Sequence, residues 1–230
     1  MKVFLGSDPG GKGKFGWAVC FEINDGLRVV ATDIADHAKD ALEKSFNALP
    51  KGGSVVAAGI DAPMFWVADG RREADRLVRK AIGRLGAKSP GGTVQSINSL
   101  QGACVVQGLL ILKLLRQLYP DLPITEAHPK ALLWLMGIAR RGRDPGMIEI
   151  KDIEEVIIEE VGFGLLDKEK EKRDAILAAF TAQMMIRRKS DWVDLLKYER
   201  KERILAGEPP IEYWMPKMVI SEMISVPRQP

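Results

Sequence analysis

Apolar residues along this chain recur with two periods, two and about 3.6, and their order outlines the fold. Residues 3–7 form a short apolar run stopped by Asp8-Pro9-Gly10-Gly11, which predicts a strand followed by a turn. Phe15, Trp17, Val19, Phe21 and Ile23 alternate with smaller or polar residues, as a strand with one buried face does. Asn24-Asp25-Gly26 is a hairpin signal, and residues 27–33 make a third strand. The chain is thus expected to open with an antiparallel meander of three strands.

Helical spacing takes over at 35–49 and ends at Pro50-Lys51-Gly52-Gly53. Residues 54–60 are nearly all apolar, as expected of a central strand covered on both faces. Helices are predicted over 71–85 and 99–118, then a short strand at 122–126 and a short helix at 130–136. Residues 140–146 read as a basic loop, and 150–161 and 172–188 as helices. Within 150–161, Glu154, Glu155, Glu159 and Glu160 are expected to form a solvated helix face. Strands separated by helical crossovers lie parallel. The fold class that follows is α/β, a mixed sheet flanked by helices.

Residues 1–188 are expected to form one domain, and 189–230 a helical tail rich in proline, methionine and aromatics. Tyr213, Trp214, Met215, Met218 and Met223 would pack on that domain or hold a homo-oligomer together.

With 46% hydrophobic and 28% charged residues, the chain has the composition of an ordinary globular protein. A net charge of +3 is compatible with a phosphate-rich partner without identifying one. Cys20 and Cys104 belong to no Cys/His array, which argues against zinc. The opening Met1-Lys2-Val3-Phe4-Leu5-Gly6 is too poor in apolar residues for a signal peptide, and the apolar stretch 103–115 is too short to span a bilayer. The expected location is the cytoplasm, with no membrane partner.

Four acidic residues stand at strand ends or on an inward helix face: Asp8, Asp61, Glu126 and Asp174. Carboxylates gathered from distant segments repel one another, and a divalent cation relieves that cost. Oxygen-only ligands favour Mg2+ or Mn2+. Asp8 serves equally well as the start of a turn. Asp61 follows a buried strand at its C-terminal edge, where α/β proteins place ligands. Asp174 lies early in a helix, where an acid also complements the macrodipole. His128, two residues after Glu126, is either a hydrogen-bonded structural residue or an accessory base or phosphate contact. Arg72, Arg76 and Lys80, with Arg79 between, recur along one helix and either track a nucleic acid backbone or form a solvated face.

Gly6-Ser7-Asp8-Pro9-Gly10-Gly11-Lys12-Gly13 nearly fits a nucleotide-binding P-loop, but Gly13 stands where Ser or Thr is required. The loop also opens a strand rather than a helix, so a plain glycine turn is the better reading.

Taken together, several segments resemble the ribonuclease H-like superfamily, and within it the predicted-nuclease branch described as domain of unknown function 429. They are Gly6-Ser7-Asp8 with Gly16-Trp17, Gly59-Ile60-Asp61-Ala62-Pro63, Arg72-Glu73-Ala74-Asp75 with Arg79, Glu126-Ala127-His128-Pro129, and Asp174-Ala175 with Ala178, Ala179, Thr181 and Ala182. The resemblance implies a ribonuclease H-like sheet whose acidic residues meet at one edge and bind divalent metal. Asp8, Asp61, Glu126 and Asp174 match those places in chain order. It also implies a metal-dependent nuclease that hydrolyses nucleic acid phosphodiester bonds. Two rivals are a non-catalytic scaffold on the same fold and an actin-like phosphotransferase; the latter uses two such domains, and this chain has room for one.

Overall fold

The computed structural model describes residues 1–24, 26–67, 71–90, 102–139, 145–149, 152–153, 158–161, 170–201, 203–206 and 211–217. The opening meander is present: β1 (Lys2–Asp8), β2 (Phe15–Ile23) and β3 (Gly26–Ala35) pair antiparallel in sequence. Asn24 takes a left-handed φ of 46° at the turn into β3, a conformation asparagine tolerates better than most residues. After α1 (Ala38–Asn47), capped by the His37 side chain, β4 (Ser54–Ile60) returns parallel to β1. The chain then forms β5 (Phe65–Val67), α2 (Glu73–Arg84), α3 (Gly102–Leu118), β6 (Ile124–Glu126) and α4 (Pro129–Leu135). β7 (Ile158–Val161), α5 (Lys170–Arg187), β8 (Trp192–Asp194), β9 (Arg203–Ala206) and β10 (Ile211–Pro216) complete it.

The main sheet runs β7-β3-β2-β1-β4-β6-β10-β8, and β5 pairs with β9 in a separate ribbon. β4, β6 and β10 lie parallel, as the crossovers require. Strand alternation divides the core in two. Val3 and Leu5 point into one cluster with Ala38 and Leu42 of α1 and Ile111 and Leu115 of α3. Phe4 and Ala57 point into the other, with Leu77 of α2, Leu132 of α4 and Ile176 of α5. Helices therefore cover both faces, which is why β4 is apolar along most of its length. This is the α/β mixed sheet flanked by helices that the pattern predicts, in an order consistent with a ribonuclease H-like sheet.

Two expectations are corrected. The helix expected over 150–161 gives way at Ile158–Val161 to a strand that pairs parallel with β3; residues 150–151 and 154–157 lie outside the described residues. Ile158 and Val161 are β-branched, and β3 offers an open edge, so pairing outweighs the helical spacing of the glutamates. After residue 188, the expected helical tail instead supplies β8 and β10 to the main sheet. Trp192, Tyr213, Trp214 and Met215 are buried there, while Met218 and Met223 lie outside the described residues. β8 is too short for alternation to reveal, β10 is buried without alternation from Tyr213 to Pro216, and both form because β6 leaves an edge to be covered. Cys20 is buried and Cys104 half-buried, both as free thiols. Among the described residues no helix is long and apolar enough to cross a membrane.

Candidate metal centre

β1 and β4 run side by side in the middle of the sheet, with Ser7 opposite Ile60. Their adjacent ends therefore place Asp8 and Asp61 together, and the Asp61 amide donates to the Ser7 carbonyl at 2.8 Å. The third carboxylate comes from α5, which crosses this end of the sheet. The helix gets close because the sheet lacks side chains beneath it. A Cβ on Gly6, Gly16 or Gly59 would collide with the backbone carbonyl of Ala175, Glu171 or Ala178 respectively. Alanines on α5 and glycines on three neighbouring strands thus meet as two small-residue surfaces. The contact carries Asp174, in the first turns of α5, over Asp8 and Asp61.

The three aspartates offer ligand oxygens that all lie within 4.8 Å of one another, a group that could hold a metal ion. Asp8 and Asp61 are half-buried and Asp174 is buried. Burial raises the carboxyl pKa of all three, and repulsion from neighbouring aspartates adds to it for Asp8 and Asp61. Asp8 is pushed well above its usual range by burial and then by Asp61 and Asp174. Asp61 is raised to about 7, chiefly by burial, with Asp174 adding to it and His128 opposing it. Asp174 is raised by burial, against the pull of neighbouring Arg173. Arg173 donates from Nε and Nη2 to Asp174 Oδ1 at 2.8 and 2.6 Å, and from Nη1 to the Pro145 and Ile148 carbonyls.

Glu126 is not in this group. It ends β6, and its carboxylate turns to Arg72, which donates to Oε1 at 2.6 Å and Oε2 at 2.8 Å. The same guanidinium holds Asp75 at 2.7 and 2.9 Å, and the Met64 amide donates to Glu126 Oε2. Burial alone would raise the Glu126 pKa, but Arg72 and His128 outweigh it and bring it to about 2. Asp75, Glu126 and His128 form a second cluster of possible ligands. Arg72 already supplies its positive charge, so a metal ion is not needed there.

This also corrects the expectation for Arg72. Its side chain is fully buried between two carboxylates and stacks over Phe65 at 4.7 Å, out of reach of any nucleic acid. The other three basic residues stay nearer solvent: Arg76 is exposed and paired with Glu73, Arg79 is half-buried, and Lys80 is exposed.

His128 stands between the two clusters. Nδ1 is 3.7 Å from Asp61 Oδ1, and Nε2 is 3.5 Å from Glu126 Oε1 and 4.0 Å from Asp75 Oδ1. Burial disfavours its protonated form, yet the surrounding carboxylates raise its pKa. Tyr213 packs against it, with ring centroids 5.5 Å apart.

Sequence reasoning did not place Asp75, Arg173 or Tyr213 at the site. Arg72 and Asp75 stand three apart on a helix, which was a usable signal for a pair. Tyr213 arrives from a distant strand, and no local pattern announces it. No curated protein matches the chain. The family described as "Protein of unknown function (DUF429)" matches residues 6–190, most of the chain, and the protein belongs to that family.

Proposed function

We propose that this protein is a divalent-metal-dependent nuclease of the ribonuclease H-like type, hydrolysing nucleic acid phosphodiester bonds at Asp8, Asp61 and Asp174. The observation that carries the reading is the convergence of three buried or half-buried carboxylates from the ends of the first and fourth strands and a late helix within 4.8 Å. Oxygen donors alone, crowded and mutually repelling, fit a hard cation such as Mg2+ or Mn2+. When bound, such an ion supplies charge neutralisation and Lewis-acid polarisation of a phosphoryl group.

The chain's own residues have separable tasks. Asp174 is fixed by Arg173, which ties it to the segment at Pro145 and Ile148. Asp61 is oriented by its strand end and by His128, whose other nitrogen faces Glu126. Glu126 is thereby assigned to support rather than to metal ligation. Arg76, Arg79 and Lys80 on α2 remain the candidates for contact with the nucleic acid backbone, where they would contribute salt-dependent affinity.

Calorimetric titration with Mn2+ tests the site. Wild type is expected to bind saturably, and an Asp61→Asn, Asp174→Asn double variant to lose that binding. With labelled single- and double-stranded DNA and RNA, cleavage should require Mg2+ or Mn2+ and fall by more than about 100-fold in the double variant. Metal binding without cleavage of any of these substrates would favour the non-catalytic scaffold. No metal binding at all would end the metal reading.

A further inference from the structure

The helix that follows Glu126 and His128 carries one side chain that packing leaves unexplained. Of the seven residues of α4, Pro129, Ala131, Leu132, Leu133, Trp134 and Leu135 are buried. Lys130, its second residue, is exposed. A buried helix is a stiff support, and this one projects a single charged group.

The backbone fixes where that group emerges. The Ala127 amide donates to the carbonyl of Ile60, the residue before Asp61, at 2.8 Å. His128, two residues before Lys130, has Nδ1 3.7 Å from Asp61. α4 therefore starts at the edge of the sheet where Asp8 and Asp61 end their strands.

Helix stability does not account for a lysine here. A cation in the first turn opposes the helix dipole, which favours an acid, and α4 has no acidic residue in that turn to offset it. Nor does an ion pair at contact distance account for it among the described residues. What the lysine does touch, through its field, is the aspartate group. Its charge draws down the carboxyl pKa of Asp8, Asp61 and Asp174, against the burial that raises all three.

The balance of charge gives this placement a use. Three carboxylates, the Arg173 guanidinium bonded to Asp174 and one divalent ion balance to no net charge, which gives an incoming phosphate no net attraction. A lysine at the rim then makes the site net positive, and a second divalent ion would make it more so. An exposed ammonium is free to turn from the carboxylates to an anion, because among the described residues it forms no fixed bond that must first break. It is a point charge with no base-reading geometry.

We propose that Lys130 is the anion-binding residue of this site, receiving a non-bridging oxygen of a phosphate-class ligand held at Asp8, Asp61 and Asp174. This role rests on metal occupancy of the three aspartates, as proposed above, and it deepens that reading by naming the side chain that meets the substrate.

The test uses the full chain. Each protein is titrated first with Mn2+ and then, metal-loaded, with thymidine 5′-monophosphate. The variants are Lys130→Gln, Lys130→Arg and, as a control for net charge, Lys39→Gln; Lys39 lies on α1, against the opposite face of the sheet, and pairs with Glu43. Lys130→Gln should weaken nucleotide affinity about tenfold or more. Its Mn2+ affinity should be unchanged or tighter, since a nearby cation has been removed. Lys130→Arg should retain most of the nucleotide affinity, and Lys39→Gln all of it. Equal nucleotide binding by Lys130→Gln and wild type, both holding Mn2+, overturns the role of Lys130 and leaves the metal site standing. Failure of wild type to bind Mn2+ overturns the metal site and the role of Lys130 with it.

Discussion

Asp61 and Glu126 end neighbouring strands of one sheet, yet their acidities part in opposite directions, to about 7 and about 2. Both are desolvated, so burial pushes both upward. The difference is the company each keeps. Glu126 receives the Arg72 guanidinium through two hydrogen bonds, whereas Asp61 faces Asp174 and Asp8, with His128 and Lys130 in opposition. The sign of the consequence follows. Asp61 has a folded pKa near 7 against an ordinary 3.8, so between those values the native state holds a proton that the unfolded chain has released. Stability of the metal-free protein therefore falls as pH rises through that window. Asp8 and Asp174 act in the same direction. His128 does too, because its raised pKa gives stability that is lost as pH climbs past 6.5. In the presence of a chelator, the melting temperature is expected to fall between about pH 5 and pH 7.5. Asp61→Asn should flatten the slope, and Mn2+ should offset it. A melting temperature that rises with pH over this range in chelated wild type would contradict the repulsion described here.

At the scale of elements, the site depends on how near α5 can come to the sheet. Gly59 faces the Ala178 carbonyl so closely that a methyl group has no room, and the obstacle is backbone rather than a movable side-chain tip. Gly59→Ala is expected to cost about 1–3 kcal/mol or more and to shift α5, weakening Mn2+ affinity along with stability. Gly11, in the loop after Asp8, has nothing near the position of a Cβ, and Gly11→Ala should stay within about 0.5 kcal/mol of wild type. Chemical denaturation of both variants, with Mn2+ titration, checks the contrast. The alanine face of α5 is legible as a small-residue run, since Ala175, Ala178, Ala179 and Ala182 share a helical spacing. The glycines that receive it are scattered over three strands, and only the register Gly6 opposite Gly59 brings two of them side by side. The strand Ile158–Val161 shows the opposite limit: its glutamate spacing favours a helix, and an unpaired edge on β3 decides for a strand.

Across the whole molecule, the sheet does not end where composition suggests. β10 pairs with β6 on one side and β8 on the other, so the segment after residue 188 is a structural part of the sheet. Tyr213 from β10 also packs on His128. A chain ending at Arg188 would uncover the β6 edge and remove the buried Trp192, Tyr213, Trp214 and Met215. Such a chain is expected to associate or fail to give a cooperative melt, where a chain ending at Lys217 folds. Thermal melts monitored by circular dichroism and size-exclusion chromatography distinguish the two. A monomeric, cooperatively folding 1–188 protein would show the last strands to be dispensable.

Periodicity and turn chemistry are local, and they determined the opening meander, the buried central strand, the helices on either side and hence the α/β class. Carboxylates at the ends of apolar runs are local too, so Asp8, Asp61, Glu126 and Asp174 were all visible as candidates. Which of them meet was decided by tertiary structure. Asp8, Asp61 and Asp174 converge because parallel register aligns two strand ends and a glycine-lined sheet admits α5. Glu126 leaves the group because Arg72, fifty-four residues earlier in the chain, offers it a full positive charge at 2.6 Å. A sequence pattern records which side chains face inward, but the partner that sets the charge and role of a buried group comes from distant parts of the chain, and only folding brings the two together.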